Sequence, residues 1–372
     1  ILDDSVKETL TEKINEMSDN ALRVLGIAYK NTENIGDNVE NDLIFTGLVG
    51  IIDPPKENVD KSIAACKKAG IKVRMITGDH LKTAASIARE IGILTDGKVI
   101  DGETLDKLSD EEYFEMVDDI QVYARVKPEQ KMRIVETLKQ KGEIVSMTGD
   151  GVNDAPALKN ASIGVAMGSG TDVAKESGDM IIQDDNFETI VTAIREGRKI
   201  YDNIKRFVKF QVSTNVGAIL TIVGTSIFML PVPFNPVQLL WINIVMDGPP
   251  AQTLGMEGSE RNIMTRQPET GDILNKKVLI KIFIAGLVMA IGSIALFSYK
   301  LAIGASQKQA RTVAFTLFVM YQLFNAYNSK SNSAKKSTYL YLAIIACFIL
   351  QVLIVYIPEL QIIFRTTSIG LT

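Results

Sequence analysis

The sequence MTGDGVNDAP occupies residues 147–156 and directly follows a short apolar run, residues 143–147, that predicts a β-strand. Its glycines allow backbone N–H groups to approach an anion closely, and a threonine hydroxyl can donate to a phosphoryl oxygen. Asp150 and Asp154 place two carboxylates close together, which suits a hard cation such as Mg²⁺. The stretch therefore predicts a phosphate and metal site at the carboxyl end of a strand.

A second TGD tripeptide, Thr77 to Asp79, follows another predicted strand, residues 71–76. Ligands of parallel sheets bind at the carboxyl ends of the strands, so we expect both TGD turns at that edge. Lys131, on a helix predicted over residues 128–141, is placed to neutralise negative charge during phosphoryl transfer. A single TGD is a common turn, whereas TGDGVNDAP at a strand end is a far more specific signal.

Strand and helix patterns alternate through the first half of the chain. Apolar runs predict the strands, and Pro near the start or Gly after the end marks the helices. This alternation favours a mostly parallel sheet with helices on both faces. The predicted strands are 43–52, 71–76, 122–126, 143–147 and 163–167, and the predicted helices are 59–69, 81–91, 128–141 and a long one from 187 toward the next apolar run.

The second half of the chain has a different composition. Residues 1–200 hold 25 Lys and Arg against 37 Asp and Glu, whereas residues 201–372 hold 15 against 7. A bilayer core of about 30 Å takes roughly 20 helical residues to cross. Five apolar runs near that length predict membrane helices at 207–230, 236–256, 278–299, 310–327 and 339–357.

The positive charges beside these runs indicate their orientation. Nine Lys and Arg flank the runs on the side of the acidic half, and four lie in the opposite loops. This predicts that the acidic half is cytosolic and that a lipid bilayer surrounds the other half. No concentrated basic face is present, so we expect no nucleic-acid partner.

Asp247 lies in the middle of the second apolar run, where an ionisable side chain predicts a functional site. Asn243 is four residues earlier, on the same face of a helix. Gly248, Pro249 and Pro250 are expected to break the helix and leave unwound backbone, as occurs where a helix lines an intramembrane ion site.

Amide side chains in the neighbouring runs extend this pattern. Asn215 lies in the first run, and Gln322 and Asn325 lie in the fourth. Carboxylate and amide oxygens are ligands of hard cations. For Gln322 and Asn325, hydrogen bonds between helices explain the amides as well as ion contact does.

Three stretches of the acidic half resemble signature motifs of the P-type ATPases: MITGDHLKTA (75–84), KPEQK (127–131) and MTGDGVNDAPAL (147–158). The phosphorylation domain of that family belongs to the haloacid dehalogenase superfamily, an α/β fold with a Rossmann-like parallel sheet. The resemblance implies that Mg²⁺ is held by Asp150 and Asp154. The catalytic residues that it implies are Thr77, Gly78, Asp79, Lys131, Asp150, Asn153 and Asp154, and the implied ATP contacts are Arg23, Thr77, Asp79, Arg125 and Lys131.

Two shorter stretches extend the resemblance. ALRVLGIAYK (21–30) is similar to the end of the family's nucleotide-binding domain, and DPPK (53–56) resembles a hinge motif. The family's phosphorylated aspartate lies in DKTGT and its actuator motif is TGES, and neither occurs in this sequence. We therefore expect a C-terminal fragment that is inactive alone. The implied domains are the end of a nucleotide-binding domain (1–42), the C-terminal part of a phosphorylation domain (43–200) and a transmembrane domain (201–372).

Residues 236–258 resemble the sixth membrane helix of calcium-transporting P-type ATPases, and are most similar to the secretory-pathway and plasma-membrane types and their bacterial counterparts. The resemblance implies that transported Ca²⁺ is bound by Asn243 and Asp247, together with Asn215 from the preceding helix. Relative to the family's two-site type, ligands are replaced by Ala218, Met246 and Gln322. One Ca²⁺ per ATP is the implied stoichiometry.

The resemblance implies ATP-driven Ca²⁺ export through an aspartyl phosphate, by a monomer in a bacterial plasma membrane. ATP, Mg²⁺ and transported Ca²⁺ are the implied ligands. Mn²⁺ shares the oxygen ligands of Ca²⁺ and stays an alternative, as does a monovalent cation. Two other classes stay open: a membrane-anchored phosphatase, for which no nucleophilic aspartate motif is apparent, and a non-catalytic half-protein acting as a binding subunit.

Overall fold

The structure is a computed structural model that describes residues 3–19, 22–31, 40–51, 54–269, 271–331 and 337–370. Asp53 of the DPPK motif and Ala21 of the ALRVLGIAYK stretch lie outside these ranges. The chain forms two compact units, residues 1–193 and residues 194–372.

The first unit alternates strands and helices. Its strands are β1 (Arg23–Tyr29), β2 (Ile44–Ile51), β3 (Met75–Ile76), β4 (Lys98–Asp101), β5 (Ile120–Ala124), β6 (Ser146–Gly149), β7 (Ile163–Met167) and β8 (Met180–Ile182). Its helices are α1 (Asp4–Asp19), α2 (Val59–Lys68), α3 (Leu81–Glu90), α4 (Gly102–Lys107), α5 (Asp110–Met116), α6 (Pro128–Gln140), a 3₁₀ turn (Val152–Asp154), α7 (Ala155–Asn160) and α8 (Asp172–Ser177).

The strands of this unit form an antiparallel pair and two parallel sheets. β1 pairs with β2, the order β3-β5-β4 makes one parallel sheet, and β6-β7-β8 makes the other. β5 is the central strand of its sheet, and Val122 and Ala124 on it are fully buried against α3. Parallel strands that helices cover on both faces have apolar side chains on both faces, which is why their sequences are continuous apolar runs.

A second core packs behind the same strand and contains a buried tyrosine pair. The hydroxyls of Tyr113 and Tyr123 lie 3.0 Å apart. Burial raises the pKa of both tyrosines above the ordinary value, so both stay neutral and share one hydrogen bond. The pair joins α5 to β5, and each buried hydroxyl has the other as its hydrogen-bond partner.

The second unit is helical. It contains most of α9, which runs without a break over Phe187–Ile227. After it come α10 (Pro236–Leu240), a π-helix (Trp241–Met246), α11 (Gly248–Gly255), α12 (Lys276–Ala302), α13 (Gln307–Asn328), α14 (Thr338–Tyr356) and α15 (Pro358–Phe364).

Three helices of the described chain are long and apolar enough to cross a membrane, by length and composition: α9, α12 and α14. The predicted span 236–256 is divided among α10, the π-helix and α11, so no single piece of it has the required length. The predicted span 310–327 lies within α13, which has eleven buried positions and packs between α12 and α14. The five-span count stays a prediction.

The prediction that Gly248, Pro249 and Pro250 leave unwound backbone is wrong, because α11 begins at Gly248 with both prolines in its first turn. Proline has no N–H to lose at that position, and its fixed φ suits a helix start. The irregularity lies just before, where the N–H of Asp247 donates to the Ile242 carbonyl, five residues back, at 3.0 Å.

Ion pairs in the second unit join the part of α9 before its apolar run to the segment that follows α11. Arg206 pairs with Glu260 at 2.6 Å, and Arg266 pairs with Asp202 at 2.8 Å. Asn203 on α9 also donates to the backbone carbonyl of Glu257 at 3.0 Å. These contacts fix the segment 256–269 along α9.

Replacing Arg266 with glutamine is expected to lower the free energy of unfolding of the complete protein by about 2 kcal/mol. Asp202 is 6% exposed; Arg266 donates to its Oδ1, and its Oδ2 has no hydrogen-bond partner among the described residues. Its charge would therefore stay buried without a cation. Denaturant titration in detergent measures the loss. Lys199→Gln, which breaks the exposed pair with Glu196, is the matched control and should change stability by less than about 0.5 kcal/mol; equal losses would contradict the prediction.

Candidate functional site

The first TGD turn follows β3 and is closed by its own side chains. The hydroxyl of Thr77 donates to the Asp79 carboxylate at 2.9 Å and accepts the Asp79 N–H at 3.1 Å. The backbone N–H groups of Arg125 and Val126 donate to the carbonyls of Asp79 and Thr77, at 3.1 and 3.2 Å. The turn is thereby tied to the loop that follows β5, and Gly78 at its tip is exposed.

The second TGD turn follows β6 and folds around one carboxylate. Asp154 is 6% exposed, and its Oδ2 accepts the N–H groups of Gly151 at 3.2 Å and of Asp150 at 3.4 Å. A Cβ atom on Gly149 would overlap the side chain of Asp154, so only glycine fits there. Asp154 therefore shapes the loop from within, while Asp150 and Asn153 are exposed on its outside.

Lys131 joins this loop from α6. Its ammonium group donates to the other oxygen of Asp154, Oδ1, at 2.6 Å, and its side chain is only 17% exposed. A lysine held this way presents a fixed positive charge beside the loop, since a charge-assisted hydrogen bond is stronger and shorter than a neutral one. The structure thus brings Lys131 to the loop that carries Asp150 and Asp154.

The two turns arise from neighbouring parts of one core. Ile76, directly before Thr77, packs against the cluster that contains Met147, which directly precedes Thr148. The carboxyl ends of β3 and β6 are therefore held by shared apolar contacts. In parallel sheets, ligands bind at the carboxyl ends of the strands, and this is where the two TGD turns lie.

One further loop, residues 168–171, supports Asp150 and was not predicted. The N–H of Thr171 donates to the Asp150 carbonyl at 2.8 Å, which fixes the backbone that carries this carboxylate. In the same loop Ser169 donates to Asp185, and these hydrogen bonds hold the pKa of Asp185 below its ordinary value. The sequence GSGT at 168–171 gives only a turn signal, so its contact with Asp150 depends on tertiary structure.

The two predicted nucleotide-contacting arginines occupy different places. Arg125 is exposed directly after β5, beside the first TGD turn, with a left-handed φ of 49°. Arg23 begins β1, where it pairs with Ile51 of β2 and is exposed. Within the described residues, no hydrogen bond or ion pair joins Arg23 to either TGD turn, so its role stays a prediction.

A second site lies in the helical unit around Asp247. This residue follows the π-helix, is 1% exposed, and accepts a short hydrogen bond from the side-chain amide of Gln322 on α13. Thr214 on α9 lies near this carboxylate, but its hydroxyl donates to the Phe210 carbonyl of its own helix at 3.1 Å. The same Gln322 amide donates to the Ile242 carbonyl at 3.2 Å, while its Oε1 is buried without a partner among the described residues.

The other predicted cation ligands are placed differently. Asn243 and Asn215 are both exposed, and no described hydrogen bond joins either side chain to Asp247. Asn325, for which two interpretations were open, donates to the hydroxyl of Ser213 on α9 at 2.7 Å. The structure therefore joins Asp247 to Gln322, a residue for which the sequence left ion contact and helix-to-helix hydrogen bonding as alternatives. Thr214, which lies near Asp247, was not singled out by the sequence.

Comparison with known proteins matches both halves of the chain to described families. Residues 15–162 match the haloacid dehalogenase-like hydrolases, and residues 231–372 match the C-terminus of the cation-transporting ATPases. The chain thus contains a haloacid dehalogenase-like hydrolase domain and the C-terminal domain of a cation-transporting ATPase. The predicted fold class, a haloacid dehalogenase-like α/β region joined to a helical membrane region, is confirmed. The chain is thus part of an integral membrane protein.

Several relatives are about 40% identical to the chain over the residues that align. They include a calcium-transporting ATPase of Bacillus subtilis, 40% identical over 372 residues that cover 96% of this chain and 42% of the relative. Calcium-transporting ATPase 1 of Saccharomyces cerevisiae is 40% identical over 392 residues, which cover 100% of this chain and 41% of the relative. Human calcium-transporting ATPase type 2C member 1 is 40% identical over 341 residues, which cover 88% of this chain and 37% of the relative. The chain spans about two fifths of the length of these relatives.

Proposed function

We propose that the complete protein is an ATP-driven pump that exports Ca²⁺ through an aspartyl-phosphate intermediate. The observation that carries the proposal is the buried carboxylate of Asp247. Within the described residues it has no cationic partner, and its side-chain hydrogen bond comes from the amide of Gln322. A charge buried in an apolar helical unit is costly unless a cation compensates it, so this position favours cation binding.

Gln322 supports the same proposal. Its two amide hydrogens are used by Asp247 and Ile242, whereas its oxygen is buried and unpaired. Which end of an amide carries the oxygen follows from the hydrogen-bond network rather than from the heavy atoms. A half-turn of the amide would present Oε1 beside the carboxylate, and two oxygens from two helices would then face one hard cation.

The number and identity of the transported ions belong to this proposal. One carboxylate and one amide oxygen are a small ligand set, which supports one Ca²⁺ per ATP. Exposed Asn215 and Asn243 are proposed to join the set through contacts that form when the cation binds. Mn²⁺ accepts the same oxygen ligands, so it is the alternative substrate. The relatives named above are called calcium-transporting, which favours Ca²⁺.

We propose that the cytosolic unit carries out phosphoryl transfer on an aspartate in the rest of the complete protein. Asp150 fits a Mg²⁺ ligand because its carboxylate is exposed while its backbone is fixed by Thr171. Mg²⁺ commonly takes only one or two protein carboxylates, completes its shell with water and phosphate oxygens, and there neutralises charge on the transferring group. Asp154 is proposed to position Lys131 and the loop, since both of its oxygens are already engaged.

The remaining catalytic residues act at the phosphoryl oxygens. Lys131 supplies a fixed positive charge there. Thr77 offers its hydroxyl once it releases Asp79, and the exposed tip at Gly78 leaves backbone room for an anion. Asn153 and Arg125 are exposed at the same loops and are proposed to contact phosphate or nucleotide, and Arg23 is proposed to contact ATP. A monomer in a bacterial plasma membrane, with the first unit cytosolic, completes the proposal.

Uptake of radioactive Ca²⁺ into inverted membrane vesicles that contain the complete protein tests this function. We expect ATP-dependent accumulation that a calcium ionophore releases and that requires Mg²⁺. Competition by Mn²⁺ at equal concentration would widen the substrate class to both ions. ATP hydrolysis that neither Ca²⁺ nor Mn²⁺ stimulates, with no accumulation, would contradict the proposal.

A further inference from the structure

A cavity of about 430 Å³ lies at one end of the helical unit, where α10 and α13 begin and α15 ends. Its volume is in the range of small-molecule sites. The polar lining consists of three cationic side chains and three amides: Lys308, Arg311, Arg365, Asn235, Gln307 and Gln361.

The charge of this cavity is uncompensated within the described residues. No carboxylate lines it, and none of its three cations takes part in a described ion pair. Glu359 on α15 is exposed and lies outside the lining. Three positive charges converging on one concave surface raise the local concentration of anions.

The walls of the cavity are held in place before any ligand binds. The side chains of Asn235 and Gln238 both donate to the Phe364 carbonyl, at 3.0 and 3.2 Å, which fixes the end of α15 against the start of α10. Arg311 donates through Nε to the Val232 carbonyl at 2.7 Å. This contact orients the guanidinium and leaves its remaining N–H groups for a ligand.

The start of α13 adds a second source of positive potential. Ser306 caps this helix of 22 residues by accepting the Gln309 N–H, and Gln307 and Lys308 form its first turn. The first-turn N–H groups of a helix attract anions, and Lys308 adds its own charge at the same place. On the other side, Arg365 has a left-handed φ of 50°, a conformation that favours glycine.

We propose that this cavity binds a phosphate group, supplied either by the headgroup of an anionic phospholipid or by a free phosphate anion. Planar guanidinium groups bind phosphate oxygens through paired hydrogen bonds, and a lysine adds a point charge. In the orientation that the flanking charges predict, the cavity lies at the end of the unit away from the cytosol. The proposal does not depend on which cation is transported.

The test uses the complete protein and the paired variant Lys308→Gln with Arg365→Gln, because neither side chain has a described partner whose loss would unfold the unit. Native mass spectrometry counts the phosphatidylglycerol and phosphatidylcholine molecules retained in detergent. Titration calorimetry with inorganic phosphate measures the free anion. Lys308→Gln and Arg365→Gln are also made singly, and Lys300→Gln, at the end of α12 and outside the lining, is the charge-matched control for each of these single variants.

We expect saturable binding of phosphatidylglycerol in preference to phosphatidylcholine, or of inorganic phosphate, weakened about tenfold per cation removed. Lys300→Gln should bind as the wild type does, and Lys308→Arg should retain most of the affinity. Binding of the lipid alone assigns the headgroup as source, and binding of inorganic phosphate assigns the free anion. Equal retention of both lipids without phosphate binding, or unchanged binding by the paired variant, would overturn the proposal.

Discussion

Replacing Asp247 with asparagine is expected to reduce ATP-dependent Ca²⁺ uptake by the complete protein about 100-fold or more, because losing a buried charge partner typically costs several kcal/mol. Asparagine keeps the size of the side chain and one oxygen but removes the charge. The variant should be as stable as the wild type or more so, since the buried carboxylate has no described cationic partner. Vesicle uptake and denaturation in detergent measure the two effects separately.

The matched control for this variant is Thr225→Val. Thr225 is also a buried polar residue, but its hydroxyl donates to carbonyls of its own helix, at Thr221 and Ile222. It lies eleven residues beyond Thr214 on α9, about 16 Å along the helix axis. Uptake by this variant should stay near the wild-type rate. Normal uptake by Asp247→Asn would remove Asp247 from the transport site, whatever the control does.

Replacing Asp154 with asparagine is expected to lower phosphoenzyme formation from ATP about 100-fold or more. One carboxylate oxygen accepts from Lys131 and the other accepts from the backbone N–H of Gly151. An amide offers one oxygen and one donor, so it must leave either the lysine or the backbone without an acceptor. Lys131 then loses its fixed position, and the loop that carries Asp150 loses its internal support.

Stability separates this effect from general damage. The buried pair Lys131–Asp154 is broken on one side only, which is expected to cost about 3 kcal/mol of unfolding free energy. Asp172→Asn, an exposed acidic residue in the first turn of α8, is the matched control and should change neither quantity appreciably. Radiolabelled ATP and acid quenching report the phosphoenzyme. Wild-type levels in Asp154→Asn would show that Asp154 does not position the transfer site.

The elements with strong local signals were predictable from the sequence. The helix over Pro128–Gln140 has proline at its first position and glycine after its end, and the structure confirms it within one residue. β4, α4 and α5 were not predicted, because each has only four to seven residues and mixes polar with apolar positions. Their boundaries are set by packing against β5, which a local pattern does not contain.

The candidate sites show the same division. TGDGVNDAP predicted a loop at a strand end, and the structure has Lys131 in contact with that loop through Asp154. Both motifs have distinctive chemistry, so both could be singled out from the sequence. The sequence did not reveal that Asp154 points inward to bind the loop while Asp150 points outward. In the helical unit, a lone carboxylate predicted the site, but a helical wheel placed Asn243 beside Asp247, whereas the structure exposes the first and buries the second.

His80 provides a helix cap that the sequence did not signal. This residue is exposed beside the first TGD turn, and its ring nitrogen Nδ1 accepts the Lys82 N–H at 3.3 Å and caps α3. Histidine is an uncommon residue at this position, where serine, threonine, aspartate and asparagine are preferred. Composition alone therefore gave no reason to expect a cap there.

The π-helix before Asp247 has a geometric consequence for the length of this segment. A turn closed by i→i+5 hydrogen bonds contains one residue more than an α-helical turn. The π-helix Trp241–Met246 therefore holds one residue more than an α-helix of the same number of turns would. Returning it to an α-helix would shift the register by one residue and turn the preceding chain by roughly 100° relative to Asp247. The Val245 carbonyl, which faces a proline nitrogen instead of an N–H, is met by the thiol of Cys347 at 3.7 Å. A thiol is a weak hydrogen-bond donor. The register of this segment can therefore change without breaking a strong hydrogen bond between Cys347 and Val245.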